Sequence, residues 1–378
     1  MALRFFPQKS TQQGQILFLF SDVNASPMLI EIVKNVQESE YPFKVVVIGE
    51  IELEICKSLQ QLGIELQLIS KRSKYALVLM LISISRQVFI SKPAAIMASG
   101  QYATILGLIP AYIMRVRRRV FIRHHSNFHT KNKMLLGMFA DRMANHLSTQ
   151  IVAVSEIVKE ILISSEGVRT EKVNLIRNGV DVDGFAEVIP STRESGSRKK
   201  EAFRIGVVSR LTGWKGVQFS VDAFIMFKAK YPNSYLHIIG APADSFGEIR
   251  KKLESLNPSD YSLTNWHPDI LGFLQNLDIF VHVPIGPQDE AFGLVYVEAL
   301  ACRTPSIFTI SGVLHELPNP EKYAHIVPYE DSVSIFNEMV EIMEGIAIQR
   351  ESVPQDWLRQ FSLKAMGKNY LNLLAGVK

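Results

Sequence analysis

Glu290 and Glu298 stand eight positions apart in the segment Asp289 to Ile307, which reads Asp-Glu-Ala-Phe-Gly-Leu-Val-Tyr-Val-Glu-Ala-Leu-Ala-Cys-Arg-Thr-Pro-Ser-Ile. Asp289 and Glu290 close a loop containing Pro284, Gly286 and Pro287. After Gly293 the run to Cys302 carries no breaker, so a helix is predicted to begin near Phe292. Free N–H groups at such a start, reinforced by the helix dipole, form an anion site. A nucleotide diphosphate fits it, with Glu290 at one end of the ligand and Glu298, roughly 9 Å down the helix at the standard rise, at the other. A nucleotide sugar has this order of sugar, diphosphate and ribose.

Two carboxylates at this spacing also occur on solvated helix faces, so the elements that hold them decide between the readings. Apolar runs of strand length fall at residues 15–20, 44–48, 65–69, 94–97, 120–122 and 152–154, then at 204–208, 234–239, 279–283 and 305–309, with longer helical patterns between. They are continuous rather than alternating, the pattern of parallel strands buried on both faces. Two doubly wound α/β domains follow. A chain of 378 residues also exceeds the size at which one hydrophobic core stops growing. The boundaries read as 1–190 for the first domain, 191–201 for a polar linker without periodicity, 202–352 for the second domain, and 353–378 for a final helical segment. Ligands of doubly wound sheets sit beyond the carboxyl ends of the strands, so the two domains are expected to face each other across a cleft.

These segments resemble the family 4 retaining glycosyltransferases, which have the GT-B fold of two facing Rossmann-like domains. The stretch from Glu290 to Glu298 matches that family's E-x7-E signature. Residues 203–224, Phe-Arg-Ile-Gly-Val-Val-Ser-Arg-Leu-Thr-Gly-Trp-Lys-Gly-Val-Gln-Phe-Ser-Val-Asp-Ala-Phe, look like its strand followed by G-R-x4-K-G and a helix. Val154-Ser155-Glu156 and Asn178-Gly179-Val180-Asp181 look like its connection into the second domain. Leu277-Asp278-Ile279-Phe280-Val281 and the stretch from Gly312 to Glu316 match its later strand and loop. The similarity runs from about Lys92 onward and is strongest from Ile151 to Glu316. In the family the final helix crosses back onto the first domain.

The resemblance implies transfer of a hexose-type sugar, with retention, from a nucleotide diphosphate donor to a glycan or lipid-linked acceptor in envelope or capsule polysaccharide synthesis. It assigns Arg210 and Lys215, in the loop 209–216, to the donor diphosphate, together with backbone amides near Phe292, Gly293 and Leu294. Glu298 is assigned to the ribose and Glu290 to the donor sugar. Arginine grips phosphate in a bidentate fork and lysine acts as a point charge. Fixed cations aimed at a departing diphosphate lower the barrier more than they lower the bound ground state. No metal or other cofactor is then required.

The family also places a histidine in the loop Arg123-His124-His125-Ser126-Asn127-Phe128-His129. Either His124 or His125 fits, and His124 is preferred. Three histidines within six residues also raise a metal site, but no suitably spaced carboxylate or cysteine is seen to complete it. The chain departs from the family pattern at residues 20–27, Phe-Ser-Asp-Val-Asn-Ala-Ser-Pro, where a glycine-rich loop is usual. Ser209, Arg303 and Ser311 stand where glycine is usual, and none of these changes removes a charged site residue.

Net charge is +4, divided as +6 over residues 1–190 and −2 over 191–378. The densest basic cluster is Arg115, Arg117, Arg118, Arg119 and Arg123. One reading is a solvated helix end. The other is attraction of Arg115, Arg117, Arg118 and Arg119 to anionic membrane or a phosphorylated acceptor, each basic residue adding about 1 kcal/mol near such a surface. The cluster is short and not interleaved with aromatics, which argues against nucleic acid as a partner.

The two cysteines, Cys56 and Cys302, lie in unlike contexts, as expected of a protein in a reducing cytoplasm; the family reading adds a peripheral place on the inner membrane face. Residues 1–15 lack the apolar core of a signal peptide. The longest apolar run, 75–83, is about half of a membrane span and reads as a buried helix. Two rival readings are a nucleotide-sugar epimerase of the same architecture and a catalytically silent nucleotide-sugar-binding scaffold. Intact Arg210, Lys215, Glu290 and Glu298 argue against the scaffold.

Overall fold

The computed structural model describes residues 14–21, 23, 25–49, 53–70, 76–181, 202–346 and 350–376. The linker expected at 191–201, the boundary at 190, and Asp22 and Asn24 of the first loop lie outside the described residues.

Seven parallel strands build the first sheet: β1 (Ile16–Ser21), β2 (Phe43–Ile48), β3 (Leu66–Ile69), β4 (Ala95–Ser99), β5 (Arg118–Arg123), β6 (Gln150–Ala153) and β7 (Val173–Leu175). Their order is β3-β2-β1-β4-β5-β6-β7. Six more build the second: β8 (Phe203–Val208), β9 (Ser234–Ile239), β10 (Tyr261–Thr264), β11 (Ile279–His282), β12 (Ser306–Phe308) and β13 (His325–Ile326), in the order β10-β9-β8-β11-β12-β13. All pair in parallel, so each sheet needs crossover helices on its faces. Central β1 is buried at all six positions, which is why its sequence is an unbroken Ile-Leu-Phe-Leu-Phe before Ser21.

In the first domain the helices are α1 (Pro27–Glu38), α2 (Glu54–Gln61), α3 (Ala76–Ser91), α4 (Gln101–Ile113), α5 (Phe128–Lys131), α6 (Leu135–Leu147) and α7 (Glu156–Glu160). The second carries α8 (Val217–Lys230), α9 (Phe246–Leu253), α10 (Ile270–Gln275), α11 (Leu294–Ala301) and α12 (Ser332–Glu344), followed by α13 (Gln355–Arg359) and α14 (Leu363–Ala375). Helix α14 packs against α1 of the first domain. The approach is close at Gly367, where a Cβ would lie 2.4 Å from the Asn35 side chain.

The buried helix expected from the run 75–83 is corrected by α3. It buries only the stripe Met80, Ile84 and Val88, while Leu77, Val78, Leu79 and Ile82 are each more than half exposed. A single helix face suffices to cover a sheet, and here the opposite face is apolar as well. No helix among the described residues is long and apolar enough to cross a membrane.

Candidate active site

Lys215 reaches Glu290 because two loops are pressed together. Gly216 has φ +69°, and a Cβ there would lie 1.8 Å from the Val283 carbonyl oxygen. Only glycine lets the loop after β8 lie against the loop after β11. The Lys215 ammonium donates to Glu290 Oε1, and also to the Asp289 carbonyl at 3.3 Å. His282, the last residue of β11, sets Nε2 3.0 Å from the same Oε1, and the Glu290 amide donates to Ser311 Oγ at 3.0 Å. Burial alone pushes the Glu290 carboxyl up, but Lys215 and His282 outweigh it and hold the pKa at about 2. His282 is buried and its pKa is lowered by desolvation, against the raising effect of Glu290, and its Nδ1 finds no hydrogen-bond partner among the described residues. Glu290 Oε2 accepts no hydrogen bond among the described residues.

Helix α11 begins at Leu294, two residues later than predicted. Gly293 sits in the left-handed region at φ +82°, so the chain turns there before the helical hydrogen bonds start. At Gly312, φ +57°, a Cβ would lie 2.4 Å from the Phe292 carbonyl oxygen and 2.8 Å from Glu290 Cβ. Of the three residues expected at the diphosphate, Gly293 and Leu294 stand at the helix start. Phe292 directly precedes them, its side chain buried against Phe361 with ring centres 5.6 Å apart. Glu298 lies one turn into α11, half-buried, with no hydrogen-bond or ion-pair partner among the described residues. Burial pushes its carboxyl up to about 7. Arg210 is exposed in the loop after β8, its guanidinium unpaired among the described residues.

The first domain presents its histidines from the loop after β5. His124 sets Nε2 3.0 Å from Ser99 Oγ at the end of β4. The residue is exposed overall, while desolvation at the ring and, after it, His125 lower its pKa. His125 turns away from it. Its Nε2 lies 3.2 Å from Asp141 Oδ1, while His129 Nδ1 lies 2.8 Å from Asp141 Oδ2.

Asp141 therefore completes a group with His125 and His129 whose ligand atoms lie within 4.8 Å of one another. This corrects the expectation that no carboxylate reaches these histidines. Helix α6 brings it from sixteen residues away, and its one signal in the sequence is that no other acidic residue occurs between Leu66 and Ser155. Arg123 lies 3.4 Å from the same carboxylate and pairs with Glu166, so a positive charge already occupies this neighbourhood. As a donor set the group fits a hydrogen-bonded cluster better than a cation site.

Both neighbours of Glu290 are gripped by the first domain. Lys131 holds the Asp289 carboxylate at 2.5 and 2.7 Å, and Ser155 donates to the Ala291 carbonyl. Ser126 and Asn127 bind Gln288, and Phe128 packs on Trp214 with ring centres 5.0 Å apart. A cavity of about 450 Å³ opens beside this loop, lined by Glu156, Arg177, Gln288 and Glu316. A larger one of about 770 Å³, at Arg204, Tyr235, His237 and Phe273, lies toward the amino ends of β8 and β9, away from these groups. Lys215 and Glu290 thus follow the carboxyl ends of β8 and β11, beside the contacts between the two domains.

The basic cluster is smaller at the surface than in the sequence. Arg115 and Arg117 are exposed. Arg118 donates to the Leu374 carbonyl, and Arg119 donates to the carbonyls of Leu147 and Val116. These two belong to β5, and the Leu374 and Leu147 carbonyls that they satisfy lie in last helical turns, where intrahelical partners run out.

Comparison with known proteins agrees with this architecture. Residues 62–183 match the model of "Glycosyltransferase Family 4", and residues 188–346 match that of "Glycosyl transferases group 1". The capsular polysaccharide biosynthesis glycosyltransferase CapM of Staphylococcus aureus is 24% identical over 248 residues, 61% of this chain and 62% of that protein. The UDP-Gal:alpha-D-GlcNAc-diphosphoundecaprenol alpha-1,3-galactosyltransferase of Escherichia coli is 25% identical over 64% of each chain. In both cases the match spans less than two thirds of the relative. The structure of Anabaena Alr3699/HepE in complex with UDP and glucose superposes with a TM-score of 0.77 over 96% of this chain and 100% of that one, at 20% identity, a likeness of fold. With two adjoining family matches on two facing parallel-sheet domains of GT-B form, the chain belongs to the family 4 glycosyltransferases.

Proposed function

We propose that the chain is a retaining, metal-independent glycosyltransferase that moves a hexose-type sugar from a nucleotide diphosphate to a glycan or lipid-linked acceptor in envelope or capsule polysaccharide synthesis, at the cytoplasmic face of a membrane. The observation that carries this reading is the convergence of Lys215, Glu290 and the start of α11 beyond the carboxyl ends of β8 and β11. The names of the relatives, one in capsule synthesis and one acting on a diphosphoundecaprenol-linked sugar, support the class of acceptor.

In this reading the bond from the sugar to the diphosphate breaks with its electron pair staying on the diphosphate, an acceptor hydroxyl oxygen bonds the anomeric carbon on the same face, and the hydroxyl proton passes to the departing diphosphate oxygen. Lys215, Arg210 and the first amides of α11 meet that growing charge. Glu290 Oε2, free of hydrogen bonds among the described residues, accepts from a donor-sugar hydroxyl, and Glu298 accepts from the ribose. His124 contacts the sugar from the opposite domain. The test is incubation of the purified chain with a panel of nucleotide sugars and a lipid-linked acceptor, with the product read by NMR. A product whose anomeric configuration matches the donor supports the proposal. Inversion, or epimerised donor formed without acceptor, overturns it.

A further inference from the structure

The outer face of the α3–α4–α6 layer carries apolar side chains that no described element covers. Of the 20 large hydrophobic residues exposed among the described residues, 14 fall between Leu77 and Phe139, so the exposure is concentrated on one layer. On α3 the exposed side includes Ile82 (59%), Phe89 (66%) and Ile90 (61%). At the start of α6 stand Leu135 (79%), Leu136 (86%) and Phe139 (64%). Helix α4 packs against both α3 and α6, so their exposed faces adjoin. A patch of this extent on a soluble domain marks an interaction surface.

Charge identifies the partner. Between Leu66 and Ser155 the sequence holds 13 lysines and arginines and one acidic residue, Asp141. Asp141 is committed to His125, His129 and Arg123. Arg86, Arg115, Arg117, Lys133 and Arg142 are exposed on or beside the three helices. A second copy of the chain fits poorly, because a two-fold contact sets this basic surface against itself. An anionic bilayer offers apolar depth and negative charge together.

We propose that the α3–α4–α6 face docks the first domain onto anionic lipid, with the side chains at the start of α6 and along α3 entering the interface and the arginines meeting the head groups. This rests on the surface alone and not on the reading of the active site. The full chain is sedimented with phosphatidylcholine vesicles that contain or lack phosphatidylglycerol. Strong binding to the anionic vesicles is expected. The triple variant Leu135→Ser, Leu136→Ser, Phe139→Ser should bind them roughly tenfold or more weakly. Arg115→Gln with Arg117→Gln should weaken binding by roughly tenfold at low salt, and high salt should shrink that difference.

A chain carrying Phe139→Trp gives a second readout, since brominated lipid should quench the introduced indole. Wild-type protein that stays in the supernatant overturns the proposal, as does a triple variant that binds like wild type or an indole that brominated lipid leaves unquenched. A vesicle-free dimer that the triple variant dissociates overturns it in favour of self-association.

Discussion

Lys215 and Glu290, 75 residues apart, form one buried ion pair, so the residue assigned to the donor diphosphate and the residue assigned to the donor sugar hold each other before any ligand arrives. Removing one partner of such a pair leaves an uncompensated charge and costs about 3–5 kcal/mol. Lys215→Ala should therefore lower stability and also turnover, the latter by roughly 10²-fold or more. Near-normal rates in a folded Lys215→Ala protein would remove Lys215 from the site.

Glu290→Gln tests the same pair from the other side. It strands the Lys215 ammonium, and a bound diphosphate then supplies the missing negative charge. The rise in melting temperature on adding nucleotide diphosphate should exceed that of wild type, because a ligand stabilises the native state by its affinity for it. Equal or smaller shifts would mean that Lys215 does not meet the diphosphate.

The two glutamates should give stability opposite pH slopes. Glu290 is held at about 2, below its ordinary 4.5, so its contribution is complete above pH 4.5 and is lost as pH falls toward 2. The amount is on the order of 3 kcal/mol. Glu298 is raised to about 7, so the folded state is favoured below pH 4.5 and loses that advantage as pH rises through 7. Glu298→Gln should then stabilise the unliganded protein at alkaline pH and have little effect in acid, whereas Glu290→Gln should destabilise at neutral pH and converge on wild type in acid. Denaturant titrations across pH that show parallel slopes for the two variants would contradict this.

Nucleotide binding should also release protons near neutral pH. Ribose hydroxyls donating to the Glu298 carboxylate favour its ionised form and lower its pKa from about 7. Calorimetric titration with free nucleotide diphosphate in buffers of different ionisation enthalpy measures the release directly. Glu298→Gln should abolish it and weaken affinity. Buffer-independent heats from wild type would move the ribose elsewhere.

Transfer should persist in EDTA, since Arg210, Lys215 and the start of α11 supply the positive charge that a divalent ion otherwise provides. The same measurement bears on His125, His129 and Asp141. Loss of activity restored by zinc or manganese would turn that cluster into a metal centre.

What the sequence revealed of the fold followed burial. Strands such as β1 and β4, buried at every position, are runs of mostly apolar residues and were visible within a residue or two. The edge strands β7, β10 and β13 were not. They have four residues or fewer, and Asn174, Ser262 and Thr264 break their apolar pattern because one side of each edge is open. At the site, motif spacing exposed the charged residues but not their partners. His282 hides in an apolar strand, and its contact with Glu290 comes from the fold of the 283–293 loop. Asp141 meets His125 only through the packing of α6. Arg118 and Arg119 looked like surface charge because the Leu374 and Leu147 carbonyls that hold them lie 256 and 28 residues away along the chain.

The sequence admitted either His124 or His125 as the catalytic histidine, and the structure gives the two different surroundings. His124 is exposed, bonded to Ser99, and lowered in pKa, so its ring is neutral near pH 7. His125 is bound to Asp141 beside His129, with Nδ1 buried. His124→Ala should lower turnover by roughly 10²-fold with the melting temperature nearly unchanged, the scale of a positioned polar group acting on the reacting sugar. His125→Ala should do the reverse, costing about 1–3 kcal/mol of stability by taking a donor from a half-buried carboxylate and changing turnover far less. Rates and denaturant midpoints on both variants decide the assignment. If His125→Ala lost the rate and His124→Ala only the stability, the histidine facing the donor would be His125, and the Asp141 contact would position it rather than merely pack it.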